Sequence, residues 1–262
     1  MGQQSETREV VTFRRDRSVG IITICRPAAR NALNIAVLKQ LSRIMAECDG
    51  SEDLRCLIVT GGDRVFSAGA DLDVLAGHTA ATYPGSVNRL AFDAIRSTRL
   101  PVIAAVAGYC LGGGCEIAMG CDMIVAADTA IFGQPEINLG FIPGAGGTQL
   151  WALRAGQGTQ ARAALTGAQL DAFAARHAGL VDMVVPQQAL SQAAITLARS
   201  VEAKAPLAVR AAKAASRAPW GAPLNAALDQ EVALMSGLLA SEDAAEGIAA
   251  FLGKRAPQFK GR

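Results

Sequence analysis

Short runs of apolar residues, separated by polar or helix-forming segments, organise the first half of the chain. Two such runs, at residues 10–13 and 19–25, flank the charged residues 14–18 and predict a β-hairpin connected by the charged stretch. Later runs at residues 56–59, 102–106 and 123–126 are almost wholly apolar. This composition is typical of strands that are buried on both faces of a sheet.

Helical patterns lie between these predicted strands. Asn34 precedes apolar residues at helical spacing and is predicted to cap a helix; the apolar residues are Leu38, Leu41, Ile44, Met45 and Cys48. Another helix is predicted at residues 86–95, and a short one before residue 123. Strands that alternate with helices pair in parallel through right-handed crossovers, so the pattern predicts an α/β fold.

From Gln187 onward the chain becomes rich in alanine and its pattern is helical, with predicted helices at residues 191–203, 206–217, 224–239 and 244–251. We therefore divide the chain into an α/β core, residues 1–186, and a C-terminal helical region, residues 187–262. The two could be layers of one unit. Alternatively, the helical region could bury its apolar faces on a neighbouring subunit, which favours a homo-oligomer.

The composition narrows the class of protein. Hydrophobic residues make up 51% of the chain and charged residues 18%, as in a globular enzyme. A formal net charge of +2 is too small to indicate a nucleic-acid or acidic-membrane partner. No apolar run is long enough for a bilayer span, and the N-terminus lacks a signal-peptide pattern. We expect a protein of the cytoplasm.

The cysteines and histidines argue against a metal site. The chain has six cysteines without a Cys-x-x-Cys spacing and only two histidines. Metal ligation or disulfide pairing would be the functional interpretation of the cysteines, but their apolar surroundings favour buried thiols in a reducing compartment. We predict no metal.

Two glycine-bearing segments follow predicted strands: residues 65–72 (VFSAGADL) and residues 108–116 (GYCLGGGCE). Ligands of α/β proteins bind beyond the carboxyl ends of strands, where these segments lie. Glycines at a helix start leave N–H groups free to bind an oxygen, which is what an oxyanion hole requires. A tight turn or close helix packing would also explain the glycines. Phosphate binding is a third alternative, although the phosphate-binding fingerprints are absent.

Two glutamates in or near these segments are candidates for acid–base catalysis. Glu116 and Glu136 each lie among apolar residues, where a charged side chain is costly to bury. The predicted strand at residues 123–126 lies between them, so the chain can leave a site and return to it. Two carboxyl groups in one pocket separate their ionisation, leaving one as a base and the other as an acid. Alternatively, each is structural and pairs with a backbone N–H or an arginine.

A series of short motifs runs through nearly the whole chain: RP at 26–27 with NAL at 31–33, SAGADL at 67–72, AGYCLGGGCE at 107–116, CD at 121–122, FGQPE at 132–136, PGAGGTQ at 143–149, AGLV at 178–181 and FLGKR at 251–255. In this order and spacing they resemble the enoyl-CoA hydratase/isomerase, or crotonase, family. The resemblance implies an α/β spiral of ββα units followed by a C-terminal helical trimerisation region, usually in two stacked trimers.

The resemblance also implies an acyl-CoA substrate and no separate cofactor, since coenzyme A is part of the substrate. The thioester carbonyl would bind the backbone N–H groups of Ala70 and Gly113. The positions that match the coenzyme A contacts are Ala28, Ala68, Asp71 and Leu72, together with Phe251 and Lys254, the latter reaching the nucleotide of an adjoining subunit. Ala28 replaces a basic residue of many relatives, so one charge contact is lost there.

Hydratases similar to this chain keep both glutamates. The resemblance therefore implies hydration of a 2-enoyl-CoA to a 3-hydroxyacyl-CoA, with Glu116 activating water and Glu136 protonating the α-carbon. Isomerisation, dehydration of a specialised acyl-CoA and thioester hydrolysis use the same scaffold and remain alternatives. A catalytically idle member that binds RNA or acts as a scaffold is another. Residues 73–99 are expected to shape the acyl pocket.

Overall fold

The computed structural model describes residues 9–76, 87–217 and 223–262. Within these ranges the chain forms two β-sheets and surrounding helices. The strands are β1 (Val11–Asp16), β2 (Val19–Ile24), β3 (Cys56–Thr60), β4 (Val102–Val106), β5 (Tyr109–Leu111), β6 (Met123–Ala127), β7 (Ile131–Gly133), β8 (Gln169–Asp171) and β9 (Met183–Val185).

The α-helices of the same ranges alternate with the strands at first and follow one another towards the C-terminus. They are α1 (Ile35–Asp49), α2 (Leu72–Ala76), α3 (Val87–Ser97), α4 (Gly113–Gly120), α5 (Gly147–Thr166), α6 (Ala172–His177), α7 (Leu190–Glu202), α8 (Pro206–Arg217), α9 (Leu224–Leu238) and α10 (Glu242–Leu252). A short 3-10 segment, Pro135–Leu139, precedes α5.

The larger sheet has the order β1-β2-β3-β4-β6-β9. Only β1 and β2 pair antiparallel, and the other neighbours are parallel. Alternate residues of the central strands enter different cores: Leu57 and Val59 lie in the main core, whereas Cys56 and Ile58 pack in a second core with α7. Burial on both faces explains why these strands are almost wholly apolar, and the predicted α/β class is confirmed.

The hairpin differs from its prediction at the connection. Residues 14–18 were expected to link the strands, but β1 continues through Asp16, which pairs with Val19. The turn is therefore only two residues long. Because β1 is an edge strand with exposed side chains at Arg14 and Arg15, charged residues fit it without cost in burial.

The predicted helices are largely confirmed. The side chain of Asn34 accepts a hydrogen bond from the Val37 N–H at 3.0 Å, which makes it the expected cap of α1. The predicted helix at residues 86–95 corresponds to α3, although Ser86 lies outside the described residues. Four helices, α7 to α10, account for the C-terminal helical pattern.

The smaller sheet, with the order β5-β7-β8, was not predicted. Its strands have three residues each, too few for an apolar pattern to emerge. The parallel pairing of β5 with β7 places Leu111 opposite Gly133, and the Gly112 N–H donates to the Gly133 carbonyl at 2.9 Å. The second glycine-bearing segment is thereby held beside the segment that carries Glu136.

A cluster of charged side chains attaches α8 to the sheets. Asp122 pairs with Lys213 at 2.8 Å and with Arg217 at 2.6 Å, and the three side chains are between 8% and 19% exposed. Asp122 also accepts a hydrogen bond from the Val102 N–H at 2.8 Å. Lys213 donates to the Leu100 carbonyl at 2.6 Å. Helix α8 is therefore fixed to the beginnings of β4 and β6.

Helix α9 exposes a stripe of large apolar side chains at helical spacing. The stripe consists of Leu228, Val232 and Met235 and continues to Leu239, directly after the helix; α10 adds exposed Ile248, Phe251 and Leu252. The rest of the described chain does not cover these side chains. Exposed apolar areas of this kind mark interaction surfaces in folded proteins.

All six cysteines are free thiols. Five are buried as predicted, but Cys25 is exposed at the end of β2, so the expectation of burial is wrong there. No helix within the described ranges has both the length and the apolar character to cross a bilayer.

We expect Asp122→Ala to lower the free energy of unfolding by about 3 kcal/mol, because it leaves two largely buried cations without their carboxylate. Glu47→Ala is a suitable control, since it breaks the Arg43–Glu47 pair, whose side chains are each 60% exposed. The control should cost less than about 0.5 kcal/mol. Urea unfolding measures both, and equal losses would contradict the structural role of Asp122.

Candidate active site

The first glycine-bearing segment is positioned by buried polar residues of the N-terminal motif. Ser67 donates to the Asn31 carbonyl at 2.8 Å and accepts from the Gly69 N–H at 3.2 Å. The Asn31 amide donates to the carbonyls of Gly61 and Val65 at 2.9 and 2.7 Å. Since Asn31 and Ser67 are 3% and 0% exposed, these bonds are shielded from water and fix the segment.

An ion pair at Asp71 also holds the same segment in place. Arg26 contacts Asp71 at 2.9 Å and donates to the Ala32 carbonyl at 2.6 Å. The pair is partly buried, with 21% and 19% of the two side chains exposed. Arg26 therefore joins the RP motif to the SAGADL motif and neutralises the carboxylate of Asp71.

Two backbone N–H groups meet where this segment contacts α4. The nitrogen of Ala70 lies 3.6 Å from the position that a Cβ would take on Gly113, the first residue of the helix. No acceptor within the described residues binds the N–H of Ala70 or of Gly113. Together with the positive end of the α4 dipole, they form a site suited to a carbonyl oxygen or an oxyanion.

The contact depends on the absence of side chains. A Cβ on Gly114 would lie 2.7 Å from both the Cβ and the carbonyl oxygen of Ser67. Gly112 has a φ of +51°, and a Cβ there would lie 2.9 Å from Oε1 of Glu136. The glycines thus serve close packing and turn formation, as one alternative held, and at the same time give the free N–H groups their place.

Glu116 is buried on α4, with 4% of the residue exposed. Its Oε1 accepts hydrogen bonds from the N–H groups of Ala145 and Gly147, both at 2.7 Å, and neither bond uses Oε2. Burial raises the pKa of Glu116, while the two N–H donors and the charge of Arg96 act in the opposite direction. The carboxylate is therefore oriented by the loop at residues 143–147.

Glu136 lies in the 3-10 segment and is partly buried. Burial, followed by the negative charge of Glu116, raises the pKa of Glu136 to about 7. The side-chain amide of the buried Gln134, oriented so that its nitrogen faces Glu136, donates hydrogen bonds to the two carboxylate oxygens at 2.9 and 3.0 Å. The structure thus brings Glu116 and Glu136 close enough for their charges to interact.

The other predicted site residues lie towards the surface. Ala28, Ala70 and Leu72 are exposed, and Ala68 is half-buried. Phe251, which is 83% exposed, and Lys254 lie at the end of α10, so their contact with an adjoining subunit stays a prediction. Residues 77–86 of the expected acyl-pocket segment lie outside the described residues.

Sequence reasoning missed the residues that hold the carboxylates. Gln134 stands in an apolar stretch before Pro135, so a polar residue two positions from Glu136 was an available signal, and the structure shows it to be 1% exposed. Arg96 gave no signal, because arginine near the end of an amphipathic helix is ordinary. Within the described ranges, no three His, Cys, Asp or Glu side chains form a group that could hold a metal ion.

The profile of the Enoyl-CoA hydratase/isomerase family matches residues 14–262. The chain belongs to this family. Its two sheets and C-terminal helices form the α/β crotonase fold, as the motifs implied.

Individual relatives align with nearly the whole chain. A probable enoyl-CoA hydratase of Mycobacterium tuberculosis is 42% identical over 98% of this chain and 100% of the relative. The 2,3-dehydroadipyl-CoA hydratase of Escherichia coli is 42% identical over 97% of this chain and 99% of its own. The crystal structure of an enoyl-CoA hydratase from Bacillus anthracis is 34% identical, covers 97% of this chain and 100% of its own, and superposes with a TM-score of 0.92.

The coupling between the two carboxyl groups of this family member is measurable without substrate. Glu116→Gln removes a negative charge, so we expect the pKa of Glu136 to fall below its value of about 7. Carbon-13 NMR of the glutamate carboxyl groups follows this titration. Glu47→Gln removes an exposed carboxylate on α1 and should leave the midpoint in place; an unchanged midpoint in Glu116→Gln would show that the two groups do not interact.

Proposed function

We propose that the chain is an enoyl-CoA hydratase, which adds water across the double bond of a 2-enoyl-CoA to give a 3-hydroxyacyl-CoA. One observation carries the proposal: two interacting carboxyl groups, Glu116 and Glu136, lie at the same helix start as the free N–H groups of Ala70 and Gly113. A hydratase needs a base for water, an acid for carbon and donors for the thioester oxygen. All three types of group are present.

The N–H groups of Ala70 and Gly113 bind the thioester carbonyl oxygen in the proposed reaction. They draw electrons from the conjugated double bond, which makes the β-carbon electrophilic. When water attacks, negative charge moves onto that oxygen and the enolate forms between the two donors. A donor of this type typically stabilises a transition state by about 2.7 to 4 kcal/mol.

Glu116 acts as the base. Its charged form is supported by two N–H bonds, and it takes a proton from the water that attacks the β-carbon. Glu136, with a pKa of about 7, retains a protonated fraction near neutral pH and gives its proton to the α-carbon. The product gains one hydroxyl group and one hydrogen, and proton exchange with solvent restores both carboxyl groups.

The coenzyme A part of the substrate would bind along the edge formed by the exposed Ala28 and Leu72 and the partly buried Ala68 and Asp71. Asp71 lies on this edge, and the positive charge of Arg26 offsets the negative charge of its carboxylate. Repulsion between that carboxylate and the substrate is thereby reduced. This electrostatic arrangement supports the edge as a site for an anionic ligand.

We also propose a homo-oligomer, either a trimer or two stacked trimers. The uncovered apolar stripe on α9 supports it, since a neighbouring subunit would bury these side chains. In this assembly residues 1–186 form the core that carries the acyl-CoA site, and residues 187–262 provide the contact between subunits. Phe251 and Lys254 would then reach the nucleotide bound to the adjoining subunit.

Retention of both glutamates favours hydration over isomerisation, which can proceed with one. The names of the relatives agree: the Mycobacterium tuberculosis protein is named a probable enoyl-CoA hydratase and the Escherichia coli protein a 2,3-dehydroadipyl-CoA hydratase. The free thiols fit a reducing compartment, and we propose the cytoplasm.

Glu116→Gln and Glu136→Gln should each lower the turnover of a short 2-enoyl-CoA by about 10²- to 10⁴-fold, with a much smaller change in KM. In the wild type, activity should fall as pH rises above about 7, where Glu136 loses its proton, and should also fall at acidic pH, where Glu116 gains one. Hydration is followed by the loss of enoyl thioester absorbance. Glu47→Gln is the control, and wild-type turnover in either active-site variant would remove that carboxyl group from the mechanism.

Lys254→Ala should raise the KM for a 2-enoyl-CoA by about tenfold, the size expected for loss of one charged contact. The KM for the matching pantetheine thioester, which lacks the nucleotide, should not change. Lys39→Ala on α1 removes an exposed lysine elsewhere and serves as the control. Equal effects on both substrates would exclude a nucleotide contact by Lys254.

A further inference from the structure

The loop that orients Glu116 is itself held by an arginine. Ala145 and Gly147 donate the two N–H bonds to Glu116, and Arg96 donates through Nη1 to the carbonyl oxygen of Ala145. The same residue, Ala145, thus binds the carboxylate on one side and the guanidinium on the other. A displacement of this loop would move both donors to Glu116.

Arg96 is anchored at both its side chain and its backbone. Its Nη2 pairs with Asp93 at 2.6 Å, one helical turn earlier on α3. Its carbonyl oxygen accepts a hydrogen bond from Arg217, which also donates to the Gly120 carbonyl at 2.9 Å. Asp93 of α3 therefore orients the guanidinium, α8 holds the backbone of Arg96, and the Arg96 side chain is 25% exposed.

The charge of Arg96 also affects the ionisation of Glu116. Among the described residues, the charged groups that act on the Glu116 carboxylate are Arg96 on α3 and Glu136 on the 3-10 segment, and Asp93 partly offsets the charge of Arg96. Arg96 lowers the pKa of Glu116 against the effect of burial. The N–H groups of Ala145 and Gly147 also lower the pKa of Glu116.

We propose that Arg96 is a positioning residue for hydration: it holds the loop at residues 143–147 and, through the Ala145 and Gly147 N–H groups, orients the carboxylate of Glu116, while its positive charge favours the ionised form of that carboxylate. This inference rests on the proposed function, since it assigns Glu116 the part of a base. Arg96 itself touches neither of the proposed oxyanion donors and transfers no proton.

Three variants of the full chain test the proposal: Arg96→Gln, Arg96→Lys and, as a control, Arg43→Gln, which alters an exposed arginine on α1. Arg96→Gln removes the charge, so the pKa of Glu116 should rise and the acidic limb of the kcat/KM profile should move to higher pH by about one unit. We expect kcat to fall about 10- to 100-fold and KM to change less than about threefold. Arg96→Lys keeps the charge, so its acidic limb should stay near that of the wild type while kcat is reduced.

A second measurement needs no substrate. Amide hydrogen exchange, read by mass spectrometry on peptides covering residues 143–150, should accelerate about tenfold in Arg96→Gln. Exchange in β4 should not change, which shows that the variant remains folded. Arg43→Gln should match the wild type in both segments and in its pH profile.

The outcomes separate the inference from the proposed function. Faster loop exchange together with a shifted acidic limb supports the role of Arg96. An unchanged pH profile overturns it even if the loop loosens, and a shifted profile with unchanged exchange overturns the route through the loop. A wild-type protein without hydratase activity refutes the proposed function and with it the catalytic part of the inference, while the exchange result still decides whether Arg96 holds the loop.

Discussion

The close approach of residues 67–72 to the start of α4 is the constraint on which the rest of the site depends. Gly114 lets the helix lie against Ser67 without an intervening side chain, and the hydrogen bonds of Asn31 fix the opposing backbone. Two main-chain donors, from Ala70 and Gly113, then lie close together. The N-terminal motif, far away in sequence, is therefore part of the site because it holds one of these donors in place.

The two carboxyl groups have different environments at nearly the same place. Glu116 is enclosed by protein and receives two N–H bonds on one oxygen, so its cost of burial is partly offset. Glu136 is less enclosed, and burial together with the negative charge of Glu116 raises its pKa to about 7. Unequal solvation and unequal hydrogen bonding therefore give two neighbouring carboxyl groups different tendencies to ionise.

Much of the fold was accessible from the sequence because it depends on local patterns. The strands β3, β4 and β6 are apolar on both faces, and Asn34 marks the start of α1, so both features appear directly in the residue order. The strands β5, β7 and β8 escaped prediction because three residues carry no periodicity. The continuation of β1 through Arg14 and Arg15 escaped it because an edge strand tolerates charge on its open side.

The candidate site was predictable in its reactive groups and less so in their support. Glu116 and Glu136 were conspicuous as acids among apolar residues, whereas the partners that hold them depend on tertiary contacts. Gln134 and the loop residues Ala145 and Gly147 contribute through an amide and two backbone donors, whose aim is decided only by the folded chain. Arg96 reaches its carbonyl partner across 49 residues of sequence.

The charged cluster beneath α8 has a consequence for how the chain can be divided. Arg217 donates to carbonyl oxygens of Arg96 and Gly120, and Lys213 donates to that of Leu100, so the helical region supplies hydrogen-bond donors to the interior of the α/β layer. A fragment cut near residue 186 would leave these acceptors and the carboxylate of Asp122 without their cations. We therefore expect the two parts to unfold together as one cooperative unit, although the composition changes near residue 187.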